Sequence, residues 1–207
     1  MTLNDKQIQI LEVAEKLFAE HGFDGTSVRQ ISLEADINIA MISYYFGSKE
    51  KLLEALFNFR MEDFRMELES LISKKEGYLK TLNDIIALML KRVHRNRLTH
   101  KILNFEFSNE SRDIDFENYV NQKRENYQLF ETFIKEGQSI GVFVKNVNVK
   151  LIVPTIIGTY FHWYYNQRFF KTFFELGDEP ESMDNFVSHT LTKHIQQTIN
   201  ALLTNAN

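Results

Sequence analysis

Apolar residues recur at Ile8, Leu11, Ala14, Leu17 and Phe18, while Glu12, Glu15, Lys16 and Glu20 fill positions between them. That rhythm places the apolar set on one stripe and predicts a helix over residues 7–21. Gly22 supplies a left-handed stop, and Phe23 folds back onto the last turn. After the Asp24, Gly25 turn, Thr26 or Ser27 caps a short helix over 28–35, with Val28, Ile31 and Ala35 inward. Ser27 and Gln30 have the spacing of a capping box. Asp36 and Ile37 break the helix, and Asn38 caps a third one over 39–46 that ends at Gly47. Ser48 caps a fourth, with Glu50 in its first turn, where the helix dipole favours a negative charge.

Further helical stripes cover 49–73, 79–93, 98–107, 114–136, 149–174 and 183–203, with a polar break at Ser111, Arg112 and Asp113. Only 8 Gly and 2 Pro interrupt the 207 residues, which favours long helices over a many-turned β fold. The expected class is all-α: an N-terminal helix-turn-helix domain over 1–47 and a larger helical domain over 48–207. Two short helices braced by a longer preceding one are the arithmetic of a helix-turn-helix unit. Cysteine is absent, excluding thiol catalysis, disulfide scaffolds and Cys-based metal sites. The N-terminus has no apolar signal core, and residues 151–165 are too short and too polar to span a bilayer, so a cytoplasmic protein without a membrane partner is expected.

The resemblance that narrows this reading lies in Gly22, Phe23, Thr26, Ser27, Val28, Arg29, Gln30 and Ile31. It continues in Ile42, Ser43, Tyr44, Tyr45, Phe46, Gly47, Ser48, Lys49, Glu50, Lys51, Leu52 and Leu53. In these residues the chain resembles the TetR family of bacterial transcriptional regulators, densely over its first quarter. Beyond that the similarity is one of layout, including the Gly137, Gly141, Val142, Phe143 turn. Asp36 stands where the family usually has glycine, and Ser43 where many members have tyrosine. The resemblance implies a ligand-responsive regulator, expected to be a repressor, that binds palindromic operator DNA as a homodimer. The alternative is a helical ligand- or partner-binding protein without specific operator binding.

A recognition helix must offer side chains to the major groove, with neighbours that grip phosphate. Asn38, Ile39, Ala40 and Ser43 occupy the start and outer face of the third helix. The resemblance implies phosphate contacts for Tyr44 and Lys49. Thr26 and Ser27 sit at a helix N-terminus suited to phosphate, and Arg29 is expected to point the same way. The third helix has no Arg, so bidentate reading of guanine from it is excluded; contact of Ile39 or Ala40 with thymine methyls points to A·T-bearing positions. Charge opposes the assignment: the chain's net −4 arises within its first 50 residues, where four basic side chains face eight acidic ones.

Of the 27 aromatic residues (18 Phe, 8 Tyr and 1 Trp), 22 lie beyond residue 50, suiting a pocket for a small apolar or aromatic effector. His94, Phe105, Tyr127, Phe130, Phe161, Tyr164 and Tyr165 are the candidate lining. Stripes at Ile152, Ile156, Thr159 and Trp163, and at Leu191 and Ile195, are the candidate dimer interface; the resemblance implies a four-helix bundle there. No nucleophile elbow, phosphate loop or HExxH pair is present, and His189 and His194 are off the spacing of a helical zinc pair. An enzyme, a cofactor and a metal are therefore not expected.

Overall fold

The structure, a computed structural model, describes residues 3–108 and 114–204. Among these residues it is helical throughout, without a strand. The helices are α1 (Asp5–His21), α2 (Val28–Glu34), α3 (Ile39–Phe46), α4 (Lys49–Met61), α5 (Phe64–Ser73), α6 (Tyr78–Arg95), α7 (Arg97–Phe107), α8 (Glu117–Ser139), α9 (Ile152–Tyr165), α10 (Gln167–Phe173), α11 (Pro180–Asn185) and α12 (Thr192–Thr204). A 3₁₀ turn (Val149–Leu151) leads into α9, and a π-helical stretch (Phe186–Leu191) joins α11 to α12. The polar break expected at residues 111–113 lies outside the described residues.

Two compact units form: Met1–Glu62 with Asn96–Lys123, and Asp63–Arg95 with Arg124–Asn207. They do not coincide with a division after residue 47, because α4 and α7 pack with α1. In the first unit Ile10, Leu11, Ala14 and Phe18 of α1 share a core with Ile31, Ile42, Leu52, Leu53, Leu56, Phe57, Ile102 and Leu103. A buried polar knot joins the same helices: the Glu15 carboxylate accepts from Arg60 on α4 and from the N–H and hydroxyl of Thr99 on α7. In the second unit Leu82, Ile85, Ile86, Met89 and Leu90 of α6 pack with Phe130, Phe133 and Ile134 of α8 and with α9 and α12. The Val144 N–H donates to the Leu203 carbonyl at 2.8 Å, tying the loop after α8 to the end of α12.

Three stripes expected as continuous helices are broken. At 49–73 the break falls at Glu62 and Asp63, where Asp63 takes a left-handed φ of 66° without any Gly or Pro to mark it. At 149–174 Asn166 separates α9 from α10 and donates its amide to the His162 carbonyl at 2.7 Å. At 183–203 the π stretch widens the turn between two α-helical segments.

Candidate nucleic-acid interface

The geometry of α3 begins in the loops on either side. Gly22 closes α1 at φ 74° and Gly47 closes α3 at φ 83°, conformations in which a Cβ is strained. Between α2 and α3 Asp36 adopts φ 48°, the left-handed geometry that Asp tolerates better than most residues. Asn38 then caps α3, its Oδ1 accepting from the Ala40 N–H at 2.9 Å. Ile42 is 1% exposed and seats α3 in the core of the first unit. The opposite side is open: Ile39, Ala40, Ser43 and Tyr44 are all exposed, Tyr44 at 83%.

Two residues expected at phosphate serve the scaffold instead. Thr26 is 1% exposed, and its hydroxyl donates to the carbonyls of Leu17 at 3.1 Å and Gly22 at 2.8 Å, pinning the α1–α2 loop. The Lys49 ammonium donates to the carbonyls of Phe23 and Thr26, each at 2.9 Å, and lies 4.2 Å from the Phe23 ring centroid. A cation held against a ring and two carbonyls braces α4 onto the loop before α2. Ser27 is exposed and caps α2 by accepting from the Gln30 N–H at 3.1 Å. Arg29, in the first turn of α2, is exposed. At the start of α4 the Glu50 carboxyl is held below the usual range, first by its own backbone N–H and then by the Ser48 hydroxyl.

The candidate effector residues do not assemble as one set. Phe130 is buried in the core of the second unit, whereas Tyr165 is exposed. Phe105 belongs to the first unit and is 57% exposed. Tyr127 is half-buried, and burial pushes its phenol pKa up. His94 is held from both sides: Nδ1 pairs with the Tyr160 hydroxyl and Nε2 with Asp184, each at 2.8 Å. Phe161 and Tyr164 pack on Tyr160, Tyr164 nearly parallel to it. A cleft of about 380 Å³ in the second unit is lined by Ile72, Ser73, Lys75, Gly77, Tyr78, Thr81, Phe133 and Glu136, none of them in the expected lining. Spacing alone did not point to Tyr160 or Asp184, because their partner lies on a helix far away in sequence.

The candidate interface stripe is buried inside the second unit and not on its surface. Ile152, Ile156, Trp163, Leu191 and Ile195 are each under 10% exposed and pack the second unit's own core. Thr159 alone of the six is outside it, half-buried, with its hydroxyl donating to the Thr155 carbonyl. Among the described residues no helix is long and apolar enough to cross a membrane, and no group of His, Asp or Glu has the makings of a metal site.

A capped third helix, seated by one buried isoleucine and open along its other side, defines a helix-turn-helix protein. Residues 10–56 match the family described as bacterial regulatory proteins, tetR family. YttP of Bacillus subtilis (strain 168), described as a probable HTH-type transcriptional regulator, is 33% identical over 136 residues, a match covering 63% of this chain and 63% of that protein, less than two thirds of its length. Among solved structures, the fatty acid degradation regulator FadR from Bacillus halodurans superimposes with a TM-score of 0.76 at 18% identity, covering 97% of both chains. FadR from Bacillus subtilis, in complex with stearoyl-CoA, gives 0.71 at 18% identity over 94% of this chain and 98% of that one. Over residues 10–56 the chain is thus similar to the tetR family of bacterial regulatory proteins, and these solved structures share its fold.

Proposed function

We propose that this protein is a ligand-responsive transcriptional repressor that binds palindromic operator DNA as a homodimer and is released by a small, largely apolar effector. The observation that carries the reading is the open side of α3, where Ile39, Ala40, Ser43 and Tyr44 stand free of the core that Ile42 anchors. Ser27, Arg29 and Asn38 flank that surface; Thr26 and Lys49 act by holding α2 and α4 in place. Two copies place two such helices roughly 34–36 Å apart, one turn of the duplex. Exposed apolar side chains of the second unit, Leu151, Tyr165, Phe169, Phe173 and Leu202, offer the surface for a second copy in place of the buried stripe. The stearoyl-CoA held by the B. subtilis relative supports an effector with a long apolar part. Release follows if the effector binds one conformer more tightly than the other, since equal affinity shifts nothing.

The test is fluorescence anisotropy of the purified protein on duplex DNA from upstream of its own gene, over a range of salt, with Tyr44→Ala in parallel. The expected result is saturable binding that weakens with salt, is lost in Tyr44→Ala, and falls when stearoyl-CoA is added. Absence even of salt-sensitive, non-specific binding overturns the DNA-binding reading. The acidic excess of residues 1–50 then favours a helical ligand-binding protein. Operator affinity unchanged by every ligand that binds the protein overturns the release mechanism.

A further inference from the structure

On the DNA-binding reading above, we infer that α3 selects its site by apolar contact with thymine methyl groups, through Ile39 and Ala40, and not by hydrogen bonds to base edges. The helix carries Ile39, Ala40, Met41, Ile42, Ser43, Tyr44, Tyr45 and Phe46, with neither a charge nor an amide among them. A base pair is distinguished in the major groove by its donors and acceptors or, at thymine alone, by a methyl group. Ser43 has one hydroxyl, which donates or accepts and so fits any base pair. The nearest amide, Asn38, would need both its oxygen and its nitrogen to grasp adenine, and the oxygen is committed to the Ala40 N–H at 2.9 Å. The nearby ammonium of Lys49 is spent on the Phe23 and Thr26 carbonyls.

Beyond the Ser43 and Tyr44 hydroxyls, each of which donates or accepts alike, the open side is apolar. Ile39 is 46% exposed and is absent from the first unit's core, although a polar residue would serve a solvated first turn equally well. Ala40 beside it is exposed and small enough to let the helix approach the base edges. An isoleucine that contributes nothing to its own core, at the tip of a helix whose open polar groups are the hydroxyls of Ser43 and Tyr44, neither able to tell one base pair from another, has the chemistry to cover a methyl.

The experiment separates this inference from the reading beneath it. The full-length protein is used to select binders from a library of random-sequence duplexes, and the best duplex is resynthesised with deoxyuridine replacing thymidine at single positions. Uracil pairs identically with adenine and lacks only the methyl. Affinity is expected to fall about fourfold for each contacted methyl removed, and Ile39→Ala is expected to bind the thymine and uracil duplexes alike at those positions. Ile39 is outside the core, so the variant folds. Selected sequences that bind equally well with uracil throughout overturn the inference and leave specific DNA binding standing. So does an Ile39→Ala protein that still discriminates as the parent does. No enriched sequence at all overturns the inference together with specific operator binding.

Discussion

Replacing Glu15 by alanine removes one carboxylate and strands the groups around it. Arg60 donates to Oε2 through Nε at 3.1 Å and also through Nη2, while the Thr99 N–H, at 3.1 Å, and the Thr99 hydroxyl donate to Oε1. Side-chain exposure is 22% for Arg60 and 9% for Glu15, so water replaces little of what is lost. Breaking a buried ion pair from one side costs about 3–5 kcal/mol. Arg60 retains some access to water, which favours the lower figure, about 3 kcal/mol. For a chain of this size each kcal/mol shifts the midpoint by about 2–4 °C, so the expected fall is roughly 6–12 °C. Far-UV circular dichroism during a thermal melt reads it, with the fluorescence of the lone tryptophan, Trp163, following the second unit separately. Removing the side-chain groups together, as Glu15→Leu with Arg60→Met and Thr99→Val, should recover part of the loss, because the Thr99 N–H is then the one group of the knot left without its acceptor. A shift of less than about 1 kcal/mol in Glu15→Ala, or a triple variant no better than the single, would refute the claim that this knot holds α1, α4 and α7 together.

Lys49→Met should destabilise the protein by about 2 kcal/mol in urea unfolding, since hydrogen bonds to a charged group contribute about 1.5–3 kcal/mol; an unchanged midpoint would mean that water replaces both carbonyl contacts at no cost. His100 is pushed from 6.5 down to about 4, first by burial and then by the charge of Lys123, with Glu15 opposing. The unfolded chain therefore takes up this proton at higher pH than the folded one, so His100 lowers stability as pH falls from about 6.5 toward 4 and costs nothing above that window. Urea midpoints across this range should decline less steeply in His100→Gln than in the parent, and parallel slopes would argue against the effect. Gly137→Ala should cost about 1–3 kcal/mol by overpacking, because a Cβ there runs into the Phe143 ring; a calorimetric melt unchanged from the parent would show that the ring moves aside freely.

The starts of α2, α3 and α4 and the ends of α1 and α3 were legible because each is written in a single residue. Ser27, Asn38 and Ser48 each accept from a backbone N–H of the helix that follows, and Gly22 and Gly47 close α1 and α3, whereas the Asn4 cap of α1 was not read. Later boundaries lack such marks. Asp63 turns left-handed at φ 66°, and no Gly or Pro among its neighbours announces this. The open side of α3 was read from the place of Ile39, Ala40 and Ser43 at the start and outer face of the helix, yet position could not say what Thr26 and Lys49 do: a hydroxyl and an ammonium bond to carbonyls as readily as to phosphate. The same ambiguity explains the interface stripe. Ile152, Ile156 and Trp163 have the spacing of a buried face, and spacing does not tell whether the neighbour is the same chain or a second copy. The aromatic run of α9 likewise announced burial without saying which rings would close the core.

The π stretch bears on how this chain can change over generations. Val187, Leu191, Ile195, Ile199 and Leu203 are buried at a strict interval of four residues. On an uninterrupted α-helix that interval drifts by about 40° at every step. The wider turn of Phe186–Leu191 winds part of the drift back, so that the start and end of the stripe meet one core. Loss of a single residue there is absorbed if the wide turn closes to an ordinary α turn, because six residues at π winding turn the chain roughly as far as five at α winding. Loss of a second residue finds no wide turn left to close, and would rotate Ile195, Ile199 and Leu203 by about 100° off the core. The segment is therefore a place where descendants of this sequence can shed one residue and keep the stripe, but not two.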